Sequence, residues 1–415
     1  MSEGYRKLTI DDVVHEIYDA PHATPEKTEE GPIFLGVSNL VNGRLDLSDT
    51  EHVSEEGFQK RTSRVTPTGG DIVFSYETRL GEAALIPESL KCCLGRRMGL
   101  LRVDREVADP RYLLYAWLSP EFQRTIHAQA SQGSTVNRIL LTELGDYPIR
   151  VPPLPIQRRI ADILGALDDK IELNRRMNET LEEMAQTLYR HWFVDFGPFQ
   201  DREFKDTEEL GPIPKGWEVQ ALDDVASFLN GTQWSRYKPE DENEETLQVI
   251  KIKELRNGFS EKSDEVSKED ILNKYIIEDG DVIFSWSGSL LLRIWSDGQG
   301  ALNQHLFKVS SERFPKWFYY QGIRHHIKRF RRIAESKATT MGHIKRSHLS
   351  ESYVPVPPEK SMQEIHQQMH PLMQLQIANL IESKKLTETR DYLLPKLISG
   401  EIQVDAAEEA VESIS

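Results

Sequence analysis

The residues of this sequence best able to do chemistry are few and poorly placed for it. His366 and His370 stand four apart on a stretch of helical periodicity, the spacing of two metal ligands on one face. Between them lie Gln367, Gln368 and Met369, so the glutamate base of a zinc protease is missing, and packing or surface histidines are expected. Glu203-Phe204-Lys205 matches a fragment of a nuclease carboxylate–lysine motif, but only three residues of it, in a charged linker. Ser285-Trp286-Ser287-Gly288 lacks the spacing of a hydrolase elbow. No Gly-rich loop ends in Gly-Lys-Ser/Thr, and no Gly-x-Gly-x-x-Gly follows a strand, which argues against an ATPase site and a dinucleotide pocket. The Asn/Asp-Pro-Pro-aromatic signature of an amino-methyltransferase is also absent. The two cysteines, Cys92 and Cys93, are adjacent and cannot build a disulfide framework or a four-ligand zinc site. No catalytic residue and no metal site are expected.

The elements that position the remaining polar residues must therefore be read from pattern. The 415 residues are enough for two ordinary domains, and 38% hydrophobic with 28% charged residues is a soluble, globular composition. No apolar run approaches the ~18–20 residues of a membrane span, and Met1-Ser2-Glu3-Gly4-Tyr5-Arg6 lacks the features of a secretory signal. A cytoplasmic protein without membrane contact is expected. The net charge of −16 argues against a generic nucleic-acid coat. That charge is uneven, however. It gathers in Glu240 to Glu245, Asp206 to Glu209 and the tail around Glu408, Glu409 and Glu412, whereas Arg324, Lys328, Arg329, Arg331 and Arg332 have no acidic residue among them. Charge more than ~8 Å away is largely screened at physiological salt, so the local balance is what a ligand meets.

The chain repeats itself. Ile10-Asp11-Asp12-Val13 recurs as Leu222-Asp223-Asp224-Val225, an offset of 212. Gly70-Asp71-Ile72-Val73-Phe74-Ser75 recurs as Gly280-Asp281-Val282-Ile283-Phe284-Ser285 at 210, and Val151-Pro152-Pro153 as Val356-Pro357-Pro358 at 205. Matches in the same order with drifting spacing indicate a duplicated domain with a duplicated connector. Within each copy the first ~150 residues read as mixed α/β. Ile72-Val73-Phe74, Leu100 to Val103, Val282-Ile283-Phe284 and Leu306 to Val309 carry strand signals. Pro110 to Ala128 and Pro315 to Ile333 carry helical ones, with Pro in the first turn.

After each Val-Pro-Pro the pattern changes. Ile160, Leu164, Leu167, Ile171, Asn174, Asn178, Leu181, Ala185 and Leu188 alternate steps of four and three, which is a heptad seam. The offset of 205 continues through Ile365, Met369, Leu372, Leu386 and Leu393, with Gln376, Asn379 and Ser383 at the polar positions. Two such stretches in a duplicated chain favour helices that pack on each other, with Asn174 and Asn178 fixing register.

This order resembles the specificity subunit of type I restriction-modification systems. The resemblance runs through Gly133-Ser134-Thr135-Val136-Asn137-Arg138-Ile139, Val151-Pro152-Pro153, Gln157 and Ile160 to Leu164. It continues through Trp192-Phe193-Val194-Asp195-Phe196, Gly211-Pro212-Ile213-Pro214-Gly216-Trp217 and Lys396 to Ile402. Ile156 stands where the family usually has Glu, and the second copy reads Ser361-Met362-Gln363. The resemblance implies an α+β fold in which two mixed α/β target-recognition domains are separated by two long antiparallel coiled-coil helices, with a pseudo-twofold internal repeat. The corresponding boundaries are 1–152 and 198–357 for the domains, 153–197 and 358–400 for the helices, and 401–415 for an acidic tail. It implies double-stranded DNA, two methyltransferase subunits and restriction (motor-nuclease) subunits as partners. S-adenosylmethionine, ATP and Mg would then sit on those partners, and this chain would bind no cofactor directly.

Reading bases in a groove needs donors and acceptors presented from loops. By equivalence between copies, the DNA-binding candidates of the first head are Ser75, Tyr76, Arg79, Arg96, Arg97, Ser134, Thr135, Asn137 and Arg138. Those of the second are Gly231, Thr232, Gln233, Ser285, Trp286, Asn303, Gln304, His305, Lys337, Thr339, Thr340, His343 and Lys345. The rival reading is a non-catalytic scaffold with two protein-binding heads on a helical spacer. The basic run from Arg324 to Arg332, beside polar loops, favours DNA.

Overall fold

The Gly-Asp pairs that mark the repeat are turns feeding a buried strand. Gly70 and Gly280 both sit at φ +85°, a left-handed conformation that favours glycine. Asp71 Oδ2 then accepts from the Thr68 amide at 2.8 Å and from Arg102 at 2.7 Å. Asp281 Oδ2 accepts from the Glu278 amide at 2.9 Å and pairs with Lys308 at 2.7 Å. One carboxylate thus closes the turn and neutralises a cation on the neighbouring strand.

The computed structural model describes residues 4–132, 137–235, 237, 239, 241, 243–336 and 342–412. Two units are distinguished, Met1–Asp169 with Leu386–Ser415 and Lys170–Lys385. In the first, β1 (Arg6–Thr9), β2 (Val14–Asp19), β3 (Lys27–Leu35), β4 (Glu51–Val53), β5 (Ile72–Ser75), β6 (Ala83–Leu85), β7 (Cys92–Leu94) and β8 (Met98–Val103) precede α1 (Pro110–Leu118), α2 (Pro120–Gln129) and β9 (Pro148–Val151). The long α3 (Leu154–Phe193) follows. The order β2-β8-β5-β6 makes an antiparallel sheet, β4-β3-β7 a mixed one, and β1 pairs with β9. Trp117 of α1 closes this core, 4.9 Å from Phe74 and 5.0 Å from Phe122, its indole donating to the Gly81 carbonyl.

The second unit repeats the plan with β10 (Glu218–Ala221), β11 (Ser227–Asn230), β12 (Thr246–Ile250), β13 (Glu265–Ser267), β14 (Ile276–Ile277), β15 (Val282–Ser285), β16 (Leu292–Ile294), β17 (Gly300–Leu302), β18 (Leu306–Ser310), α4 (Lys316–Ser336) and β19 (Tyr353–Val356). The sheets are β11-β18-β15-β16 and β13-β12-β17-β14, and β10 pairs with β19. The Trp-Phe and Gly-Trp motifs supply its aromatic core. Phe193 lies 5.7 Å from Trp217 and 5.4 Å from Phe318. α5 (Glu359–Ser399) and α6 (Val404–Glu412) complete the chain.

The heptad positions are inward-facing. Ile160, Leu164 and Leu167 of α3 and Leu386 and Leu393 of α5 are buried in the first unit; Leu181, Ala185, Ile365 and Met369 are buried in the second. Leu188 and Leu372 pack at the edge of the second core, and Ile171 is half-buried. The polar seam positions form one layer within the second unit. Asn174 donates to Glu382 at 2.7 Å, Asn379 to Asn178 Oδ1 at 2.9 Å, and Gln376 to Glu182 at 3.2 Å. Partner numbers fall along α5 as they rise along α3, so the helices run antiparallel here.

Two expectations change. The stretch from Pro110 to Ala128 is two helices, because Pro120 has no N–H with which to continue the first. Ser119 ends α1 and caps α2, its hydroxyl accepting from the Phe122 amide at 3.3 Å. The segment read as an acidic tail contains α6, whose Glu408 accepts from Arg159 of α3 at 2.7 Å. The units also meet inside the long helices, at 169/170 and 385/386, so each helix contributes to both.

His326 of α4 provides a test of this packing. Burial, the largest influence, pushes its pKa down to about 4, although its ring N–H donates to the Tyr353 carbonyl at 2.9 Å. A histidine kept neutral in the fold but titrating near 6.5 when unfolded makes the unfolded state bind more protons below that pH. Stability should therefore be flat above pH ~6.5 and fall as pH drops towards 4, by on the order of 2–3 kcal/mol. Denaturant midpoints between pH 7 and 4.5 should show this slope, and His326→Gln should flatten it.

Candidate nucleic-acid interface

In the first unit, three loops cross at Tyr76. Its amide donates to the Arg97 carbonyl at 3.1 Å, and its carbonyl accepts from the Ile139 amide at 2.9 Å. The loop after β5, the turn before β8 and the segment 137–139 are thereby joined, with a further bridge between Glu77 and Arg138. Arg97 is held in the left-handed region at φ +67°. It reaches Thr78 Oγ1 at 2.9 Å and Glu77 at 3.4 Å. Arg79 lies 3.6 Å from Glu82. Arg96, Arg97, Asn137 and Arg138 are exposed. Tyr76 is buried, and burial first, then Asp19, raises its pKa.

The second unit repeats the crossing with other side chains. The Trp286 amide donates to the His305 carbonyl at 3.3 Å, and its carbonyl accepts from the Ile344 amide at 2.9 Å. Ser287 bridges to His343 as Glu77 does to Arg138. His305 and His343 lie 5.7 and 6.4 Å from the indole, and Ser287 Oγ meets His305 Nδ1 at 3.1 Å. The Gly231-Thr232-Gln233 loop joins in, the Gln304 amide donating to the Thr232 carbonyl at 2.9 Å. A side chain at Gly231 would meet the Leu302 and Asn303 carbonyls at 2.3 Å, so this glycine lets two backbones approach. Gln233, Gln304 and His305 border a cleft of about 690 Å3 that also touches Trp234, Lys251 and Lys253.

The candidates are therefore brought together within each unit, in different roles. Ser75 and Ser285 are buried, and their hydroxyls close the loops by donating to the Glu77 and Ser289 carbonyls, each at 2.5 Å. They shape the site instead of presenting groups. Asn303 is nearly buried and accepts from the His305 amide at 3.2 Å. Gln233 and Lys345 are exposed; Thr232, Trp286, Gln304, His305 and His343 are half-buried. Ser134, Thr135, Lys337, Thr339 and Thr340 lie outside the described residues. Glu77, Thr78, Ser287, Asp19 and Asn230 were not anticipated, and no motif marks them.

The basic run of α4 is not a continuous face. Arg324 pairs with Glu182, Arg329 donates to the Glu351 carbonyl at 2.8 Å, and Arg331 to the Leu290 carbonyl at 3.3 Å. His366 accepts from the Trp317 indole at 3.1 Å and stacks on His370 at 4.6 Å, a packing arrangement. Among the described residues no three His, Cys, Asp or Glu side chains gather as metal ligands, and no helix is long and apolar enough to cross a membrane.

Residues 4–183 and 214–388 match the model of the type I restriction modification DNA specificity domain. The chain belongs to this family. It is 29% identical over 365 residues to the type I restriction enzyme MjaIX specificity subunit of Methanocaldococcus jannaschii, covering 85% of this chain and 82% of that one. It is 22% identical to the HindI specificity subunit of Haemophilus influenzae over 89% of this chain and 94% of the relative. The crystal structure of a type I restriction-modification S subunit from M. genitalium shares the fold, with a TM-score of 0.61 at 17% identity, covering 96% of this chain and 97% of that one. Specificity subunits are non-catalytic, DNA-binding components of type I complexes.

Proposed function

We propose that this specificity subunit reads a split, asymmetric DNA target, one head to each half, and recruits two methyltransferase subunits and, for cleavage, ATP-driven restriction subunits. S-adenosylmethionine, ATP and Mg are bound by those partners. The observation that carries the reading is the same three-loop crossing in both units, made by the same backbone hydrogen bonds but dressed with different side chains. Equal scaffolds with unequal polar groups suit two different base sequences, since base edges discriminate through donors and acceptors whereas phosphates only set position.

The helices set the spacing. α3 has 40 residues, which at ~1.5 Å each is about 60 Å, against ~34–36 Å for a turn of duplex. The antiparallel pairing means that a length change must be made in both helices.

Co-expression with the methyltransferase subunit followed by mapping of methylated sites should return a split motif with a fixed spacer; a continuous motif overturns the reading. Inserting matched heptads at 169/170 and 385/386 should lengthen that spacer by about three base pairs, since a heptad adds ~10 Å. An unchanged spacer would show that the helices are not the ruler. Arg97→Ala and Lys345→Ala should each weaken DNA binding by the complex. A phosphate contact lowers the salt slope by about one with specificity retained; a base contact costs about 1–3 kcal/mol and relaxes specificity at one position. Binding that neither change affects counts against these loops and favours protein-binding heads.

A further inference from the structure

We propose that Asp19 and Asn230, which hold equivalent strand-end positions, are positioning residues for target reading that fix where the three loops of their own unit sit. The inference rests on the heads reading DNA, as proposed above.

The two residues are equivalent by strand register, although their types differ. Asp19, the last residue of β2, pairs with Gly99, which pairs with Phe74. Asn230, the last residue of β11, pairs with Phe307, which pairs with Phe284. Two residues beyond Phe74 and Phe284 stand Tyr76 and Trp286. Each aromatic therefore follows the end of its strand, two strands from the end of the edge strand. The Trp286 indole donates to Asn230 Oδ1 at 2.9 Å and to the Gln304 carbonyl at 3.1 Å. In the first unit the Tyr76 hydroxyl and Asp19 Oδ1 are both buried with no hydrogen-bond partner. The other Asp19 oxygen meets His22 Nε2 at 3.0 Å. The shared chemistry is a donor on the aromatic and an acceptor on the strand end.

Position matters here because the aromatic residue holds both neighbouring loops by its backbone. Tyr76 binds the Arg97 carbonyl and the Ile139 amide; Trp286 binds the His305 carbonyl and the Ile344 amide. An aromatic side chain has two rotatable angles, so fixing its polar end and its backbone leaves it little freedom. Turning the indole would displace the His305 and His343 rings packed against it. Arg97 and Arg138 occupy the matching places around Tyr76. Neither Asp19 nor Asn230 need touch DNA to influence which bases are accepted.

The test uses the complex with its methyltransferase subunits, a plasmid library carrying single mismatches in either half of the mapped target, and sequencing of methylated sites. Asn230→Leu should lower the preference for cognate over mismatched sequence about fivefold to tenfold in one half only. Asp19→Leu should do the same in the other half only. Asn230→Asp keeps an acceptor, as the first unit does, and should restore selectivity. Trp286→Phe removes the donor and should reproduce Asn230→Leu, with the double variant no worse than either. It also carries the test if Asn230→Leu does not fold. A purely structural role would lower Tm and total methylation without separating the halves. Relaxation of both halves, of neither, or of the same half by the Asp19 and Asn230 variants overturns the inference. An unsplit wild-type motif removes the reading beneath it, and this inference with it.

Discussion

A carboxylate on the first long helix, surrounded by donors from other elements, ties each unit together. In the first unit Asp168 accepts from Arg44 at 2.9 Å, Tyr115 at 2.7 Å and Arg390 of α5 at 2.8 Å. Burial alone would raise its pKa, but Arg390, Tyr115 and Arg44 hold it below the usual carboxylate range. In the second unit Glu182 takes Arg324 and, at 3.5 and 3.2 Å, Gln321 and Gln376. Such groups add little net stability over a well-packed apolar replacement, yet removing one partner leaves a half-buried charge unpaired. They therefore act mainly against wrong pairings. An α5 slipped along α3 would leave Asp168 without Arg390 and Glu182 without Gln376. The same demand explains the basic run of α4, where Arg324 is turned into this network.

The parts of the fold that were legible in the sequence are those where backbone geometry or a helical period dictates residue type. Gly-Asp survives in both copies because the turn needs a positive φ and the next residue must close it and meet a cation. The offset of 205 holds through the long helices because an insertion of one residue would rotate every following seam position by about 100°. The break at Ser119-Pro120 is masked by apolar periodicity on both sides of it. The helix in the acidic tail buries Val404 and Ala407, and its Glu408 meets Arg159, more than two hundred residues away in sequence.

The site was legible as loops and as the residues that they carry, but not as the roles those residues take. Tyr76 and Trp286, Arg97 and His305, Arg138 and His343, and Asp19 and Asn230 are equivalent by hydrogen bonds and strand register, while their side chains differ in every case. Six of these eight lie in loops that equivalence between the copies marks, whereas Asp19 and Asn230 lie on strand ends where the copies share no residue type. Ser75 and Ser285 match because both are buried and close the same turn. Identity between the copies therefore marks scaffold, and difference within matching geometry marks the surface that distinguishes the heads.

That distinction bears on how a chain of net charge −16 engages a polyanion. Around Tyr76 the exposed groups are permanent cations, Arg96, Arg97 and Arg138, only partly offset by Glu77. Around Trp286 the corresponding places hold histidines with Ser287 and Gln304 beside them. Attraction to phosphate scales with the number of cations engaged and weakens with salt, whereas discrimination by hydrogen bonds depends on geometry. The loop crossing of the first unit thus presents more permanent positive charge, and that of the second more hydrogen-bonding groups. Carboxylates also lie close to the second crossing, since Asp264 and Glu265 border the cleft that Gln233, Gln304 and His305 line. For a subunit that works within a larger assembly, the charge that matters is the charge within reach of each crossing of loops.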